Sequence, residues 1–138
     1  MSRKSIVLLL TLSLVLFVAG SAFAATLSGT VTTSKKESQM ALPKEVPLAG
    51  AQVIIGKDLN LQTGGSGADT IQGKVAAKTV TNDQGKFTAN LPNGKYTVVV
   101  WKERYTPATY NVTVPKNNFK GQISIMSDRI LHTSLSFN

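Results

Sequence analysis

Between residues 25 and 138 apolar residues recur at every second position in short runs, and clusters of Gly, Asn, Asp or Pro separate the runs. Nothing in this stretch repeats with the 3.6-residue period of a long amphipathic helix. A period of two puts alternate side chains on opposite faces of an extended chain, so each run reads as a strand with one buried face. Thr26 to Thr32 sets Leu27, Gly29 and Val31 against Ser28, Thr30 and Thr32, and Gly50 to Ile55 does the same with Ala51, Val53 and Ile55. Lys78–Asn82 and Lys86–Leu91 flank the tight-turn sequence Asn82-Asp83-Gln84-Gly85, after which Phe87, Ala89 and Leu91 point inward. Asn93-Gly94 favours a hairpin turn into Lys95–Trp101, with Tyr96, Val98 and Val100 on the inner side. Ala108–Val114, Gln122–Met126 and Ile130–Phe137 complete the pattern, the last with Leu131, Leu135 and Phe137 on one face. About seven strands of this kind predict an all-β fold, a single antiparallel β-sandwich.

The first residues follow a different rule. Met1 to Ser5 is basic, Ile6 to Val18 is an apolar run of 13 residues, and Ser21-Ala22-Phe23-Ala24 supplies small residues in an A-x-A pattern. This is the form of a signal peptide over 1–24, cut between Ala24 and Ala25, with one domain over 25–138. The apolar run falls short of the roughly 18 residues that a spanning helix needs. The expectation is an exported protein, periplasmic or secreted, with no stable membrane insertion after the leader is removed.

Composition narrows the chemistry. There are no cysteines, which excludes disulfides and thiolate sites, and there is one histidine, His132. His132 falls on the outward parity of the last strand, where a solvated side chain is expected. Asp58, Asp69, Asp83 and Asp128 read as residues of separate loops or turns. Asp83 near Gly85 lacks the calcium-loop pattern, and Gly64 to Gly67 lacks the P-loop lysine. The expectation is therefore a protein that is not an enzyme, without metal or cofactor. The formal charge of +8 falls to +6 once Arg3 and Lys4 are removed, and the lysines are dispersed, with no run of like charge. Such a surface gives solubility and weak attraction to anionic polymers, and no nucleic-acid motif accompanies it.

The motifs Leu27-Ser28-Gly29-Thr30-Val31, Pro47-Leu48-Ala49-Gly50-Ala51-Gln52-Val53, Thr81-Asn82-Asp83-Gln84-Gly85-Lys86-Phe87 and Leu91-Pro92-Asn93-Gly94-Lys95-Tyr96 follow one another in this order. The series resembles the carboxypeptidase regulatory-like domain, a transthyretin-like, Greek-key β-sandwich similar to carbohydrate-binding sandwiches. The resemblance implies a non-catalytic accessory module. The chain departs from the pattern in three places. The usual acidic turn residue falls at Asn82, Arg104 stands where a glycine precedes the aromatic Tyr105, and residues 33–46 and 56–76 read as loops longer than the norm.

Candidate contact residues are Trp101, on the outward parity with Thr97 and Val99, then Tyr105 beyond it, and Phe119 in the polar stretch Lys116 to Lys120. Aromatic faces stack on sugars and anchor protein interfaces. The leading expectation is a module that binds or assembles with an envelope or extracellular protein, or with itself, through loops or strand edges. The alternative is a carbohydrate-binding module that takes polysaccharide on Trp101 and Tyr105.

Overall fold

A computed structural model describes residues 24–36, 38–63, 67–125 and 132–138. Residues 1–23, which hold most of the expected leader, together with Glu37, Gly64 to Ser66, and the stretch from Met126 to Leu131, which includes Asp128, lie outside the described residues. The strands are β1 (Ala24–Lys35), β2 (Lys44–Pro47), β3 (Gln52–Thr63), β4 (Ala68–Val80), β5 (Lys86–Pro92), β6 (Gly94–Trp101), β7 (Tyr105–Thr106), β8 (Ala108–Val114), β9 (Lys116–Gln122), β10 (Ser124–Ile125) and β11 (Ser134–Phe137). Among the described residues the regular structure is all β, as the period of two requires.

Two sheets face each other. In the first, β1 pairs antiparallel with β5 along its first half and with β2 along its second, while β9 runs parallel on its other edge. The second has the order β11-β4-β3-β6-β8. Between them lies the main core, in which Leu27 and Val31 of β1 and Phe87 of β5 meet Val53 and Ile55 of β3 and Val98 of β6. These are the inward residues that alternation selects. Gly50, Gly85 and Gly94, at the expected turns, all have positive φ. The Asn82 turn is built by Asn82 Oδ1, which accepts from Gln84 N at 2.9 Å and Lys86 N at 3.0 Å. An asparagine oxygen thus does the work for which an acidic residue is usual.

Much of the expected loops is strand. Residues 33–46 contain the β1–β2 hairpin, in which Thr32 to Lys35 pair with Lys44 to Pro47. Residues 56–76 extend the β3–β4 hairpin, paired out to Thr63 and Asp69. Residues 116–122 form β9. Polar sequence hid these elements, punctuated by glycine in residues 56–76, because strand pairing needs backbone groups and only one apolar face.

The β3–β4 hairpin does not run straight. Val80 faces Gln52, and Gln52 faces Trp101, so these residues form one row across the second sheet. Asp69 sits at the other end of β4, and a straight strand rising about 3.3 Å per residue would place it about 36 Å from that row. Instead Asp69 and Trp101 are hydrogen-bonded at 2.7 Å. The hairpin folds back over the outer face of its own sheet. Register shifts at Ile55/Gly56 and between Lys57 and Asn60 mark the bend. There Asp58 has φ 53 and Gly73 φ 123. A Cβ on Gly56 would stand 2.2 Å from Lys74 O, so the crossing needs a glycine.

The fold-back creates a second core. Ile54, Val99 and Trp101, on the parity expected to be outward, are buried beneath Leu59 and Ile71 of the returning hairpin. β11 adds a strand to the returning part, Leu135 opposite Asp69.

Candidate functional site

The first site prediction, Trp101, is corrected by this packing. Its side chain is 5% exposed rather than presented to solvent. The run Val98-Val99-Val100-Trp101 is buried on both faces, and the absence of polar alternation within it is the sequence signal that could have shown this. Indole Nε1 donates to Asp69 Oδ2 at 2.7 Å, and the same oxygen shares a 2.7 Å hydrogen bond with His132 Nδ1. Asp69 is fully buried and His132 is 5% exposed. The expectations of a solvated histidine and a loop aspartate are therefore both corrected, since the returning hairpin carries Asp69 inward and the segment before β11 lies against it. Asp69 Oδ1 has no hydrogen-bond partner among the described residues. The trio joins three parts of the chain, with the peptide of His132 also accepting from Arg104 N at 2.8 Å.

Phe119 is likewise buried, at the centre of β9. Its ring meets Phe87 at 5.7 Å and Tyr110 at 5.2 Å between centroids, both edge to face. It is a core residue and not an exposed contact, corrected because Lys116 to Gln122 is a strand in which Phe119 and Gly121 face inward while Asn118, Lys120 and Gln122 are wet. Tyr105 is half-buried against the main core, and pairs through β7 with Ile125 of β10. Before it, Arg104 has φ 74, the left-handed conformation that glycine favours. The three predicted aromatics do not converge on a common surface: Trp101 belongs to the second core, while Phe119 and Tyr105 belong to the first. Ala24 and Ala25, the residues flanking the expected cleavage point, open β1 opposite Pro92 and Leu91.

What reaches solvent is elsewhere. The hairpin between β1 and β2 ends in a tip where Ala41 N donates to Ser38 O at 3.2 Å. Met40 is 95% and Leu42 85% exposed there, beside the exposed Lys35, Lys36 and Lys44. Alternation does not single out these residues, because the tip is not a strand and its side chains have no core to face. The base of this hairpin is rigid. Val31 N donates to Gly85 O at 2.7 Å, and Leu48 N to Val31 O at 2.9 Å. Buried Thr81 Oγ1 donates to Leu48 O at 2.7 Å and accepts from Ala51 N at 2.9 Å.

A rigid two-sheet sandwich with a protruding hairpin, closed at its base by a buried threonine, defines a small β-sandwich module. The sequence matches the model of the carboxypeptidase regulatory-like domain over residues 26–125, and the chain belongs to that family. Thr81, Gly85 and Phe87 stand in that order around its central turn. No curated protein matches the chain by sequence. Among solved structures it is similar to 5-hydroxyisourate hydrolase of Klebsiella pneumoniae, with 18% identity, 72% of this chain and 92% of that chain covered, and a TM-score of 0.37.

Proposed function

We propose that this protein is an exported, non-enzymatic β-sandwich module that docks onto an envelope or extracellular protein through the tip of its β1–β2 hairpin. The observation that carries the reading is the exposure of Met40 and Leu42 at 95% and 85%, on a hairpin whose base is pinned to the sandwich. Burying such a side chain is worth about 1.5–3 kcal/mol, so two on one tip form an anchor that the sandwich itself leaves unused. Lys35, Lys36 and Lys44 beside Glu45 suit a partner with an apolar pocket and a rim of mixed charge. Export rests on the basic and apolar leader. A non-enzymatic role agrees with the chain's one histidine being spent on a buried hydrogen bond. The carbohydrate reading required Trp101 and Tyr105 to present their rings together, but Trp101 is buried in the second core and Tyr105 lies half-buried against the main core.

The test places a photo-crosslinking residue at Gln39 in the native host. A single protein captured in stoichiometric amount, and lost in the Met40→Ser/Leu42→Ser variant, is the expected result. Capture undiminished in that variant overturns the reading.

A further inference from the structure

The fold-back leaves part of the outer sheet face uncovered. Where β3 bends at Lys57 and Asp58, the returning hairpin and the outer faces of β6 and β8 enclose an open groove of about 380 Å³. Lys95 and Thr97 of β6 stand opposite Thr113 and Asn111 of β8, and Asp58 closes the side made by the bend. The cross-strand register thus brings a lysine, an asparagine and two threonines together on one face.

Lys57 is held in position. Its Nζ donates to Lys95 O at 2.7 Å and lies 4.1 Å from the centroid of the Tyr96 ring. An ammonium carries three donors, so the carbonyl and the ring leave donor capacity on a side chain that lines the groove. The same contact covers the Tyr96 face, so no aromatic platform remains for a base or other flat ring. What the groove offers is two ammonium groups, a carboxamide and two hydroxyls against one carboxylate. That set satisfies an anion flanked by hydroxyl groups.

We infer that this groove is a second binding site, distinct from the hairpin tip, that takes an acidic sugar of the uronate type. The sugar carboxylate meets Lys95 and Lys57, and its ring hydroxyls meet Asn111, Thr97, Thr113 and Asp58. The dispersed positive charge of the chain, +6 once Arg3 and Lys4 are removed from the +8 of the full sequence, adds attraction without placing the ligand.

The experiment follows backbone amide shifts of the isotopically labelled protein during titration with trigalacturonate, with neutral galactotriose as control. Lys95 and Asn111 are exposed, so Lys95→Glu and Asn111→Ala leave the fold intact. Expected are shifts confined to the bend and the facing parts of β6 and β8. Loss of one charge-assisted hydrogen bond should weaken binding about tenfold or more in Lys95→Glu. Shifts scattered over all lysine-bearing surfaces, equal binding by Lys95→Glu, or equal binding of galactotriose each overturn the inference. None of these outcomes depends on Met40 or Leu42, so the docking reading stands or falls separately.

Discussion

Trp101 Nε1 donates to Asp69 Oδ2 at 2.7 Å, and this contact joins the end of β6 to the far end of β4. It fastens the returning hairpin to the sheet from which it came. Because His132 uses the same oxygen, one carboxylate holds the hairpin, the central sheet and the segment leading into β11. Replacing Asp69 by alanine orphans two buried polar groups, at about 1–3 kcal/mol each. Asp69→Ala should therefore lower stability by about 2–5 kcal/mol in urea unfolding, whereas Asp69→Asn, which keeps an acceptor for the indole, should cost less. Trp101 is the single tryptophan, so its emission should shift to the red in Asp69→Ala as the indole becomes wetter. An unshifted spectrum with unchanged stability would mean that the apolar contacts of Leu59 and Ile71 hold the hairpin alone.

The bend itself makes a second prediction. A Cβ at Gly56 would meet Lys74 O at 2.2 Å, and backbone cannot move aside as a flexible side chain can. Gly56→Ala should cost about 1–3 kcal/mol, the range for overpacking a close contact. The substitution should also perturb the amides of Asp58 and Gly73 more than those of β5, which lies in the other sheet. A uniform loss across both sheets would show that the bend is not a separate element.

Thr81 explains why its motif contains a threonine. Its hydroxyl is buried, donates to Leu48 O and accepts from Ala51 N, bridging the link into β3 to the link into β5. Thr81→Val keeps the shape but strands a donor and an acceptor, and should cost about 2–3 kcal/mol. Thr81→Ser keeps both hydrogen bonds and should lose less than half of that. Chemical denaturation of the pair separates the hydroxyl from the methyl contribution.

The main core was legible because its residues obey one parity: Leu27, Val31, Phe87, Val98 and Val112 can be picked out by alternation alone. The second core was not, because Val99 and Trp101 lie on the other parity and are covered by a hairpin whose own sequence, Gly56 to Ala76, is polar and punctuated by glycine. Alternation reports which face of a strand is apolar. It does not report a strand that doubles back to cover the other face, and that is a long-range event. Asp69 and His132, far apart in the sequence, meet for the same reason. The hairpin tip was hidden differently, since Met40 and Leu42 attract notice only once their neighbours are known to leave them bare.

Arg104 supplies the last prediction. It occupies the position where the family pattern has glycine, and its φ of 74 is the conformation that glycine adopts freely. An L side chain there costs roughly 1–2 kcal/mol, while a glycine adds back about 0.5–1 kcal/mol through the greater freedom of the unfolded chain. The first effect exceeds the second, so Arg104→Gly should stabilise the protein by about 0.5–1 kcal/mol. The Arg104 N–H that donates to His132 O remains in the variant, so the corner between β6 and β7 is unchanged. Thermal unfolding of Arg104→Gly beside Arg104→Ala makes the measurement decisive. Alanine removes the guanidinium but keeps the Cβ, so it should leave the midpoint near that of the parent, and only glycine should raise it. If alanine raises it equally, the arginine's charge and not its backbone conformation is the source of the cost.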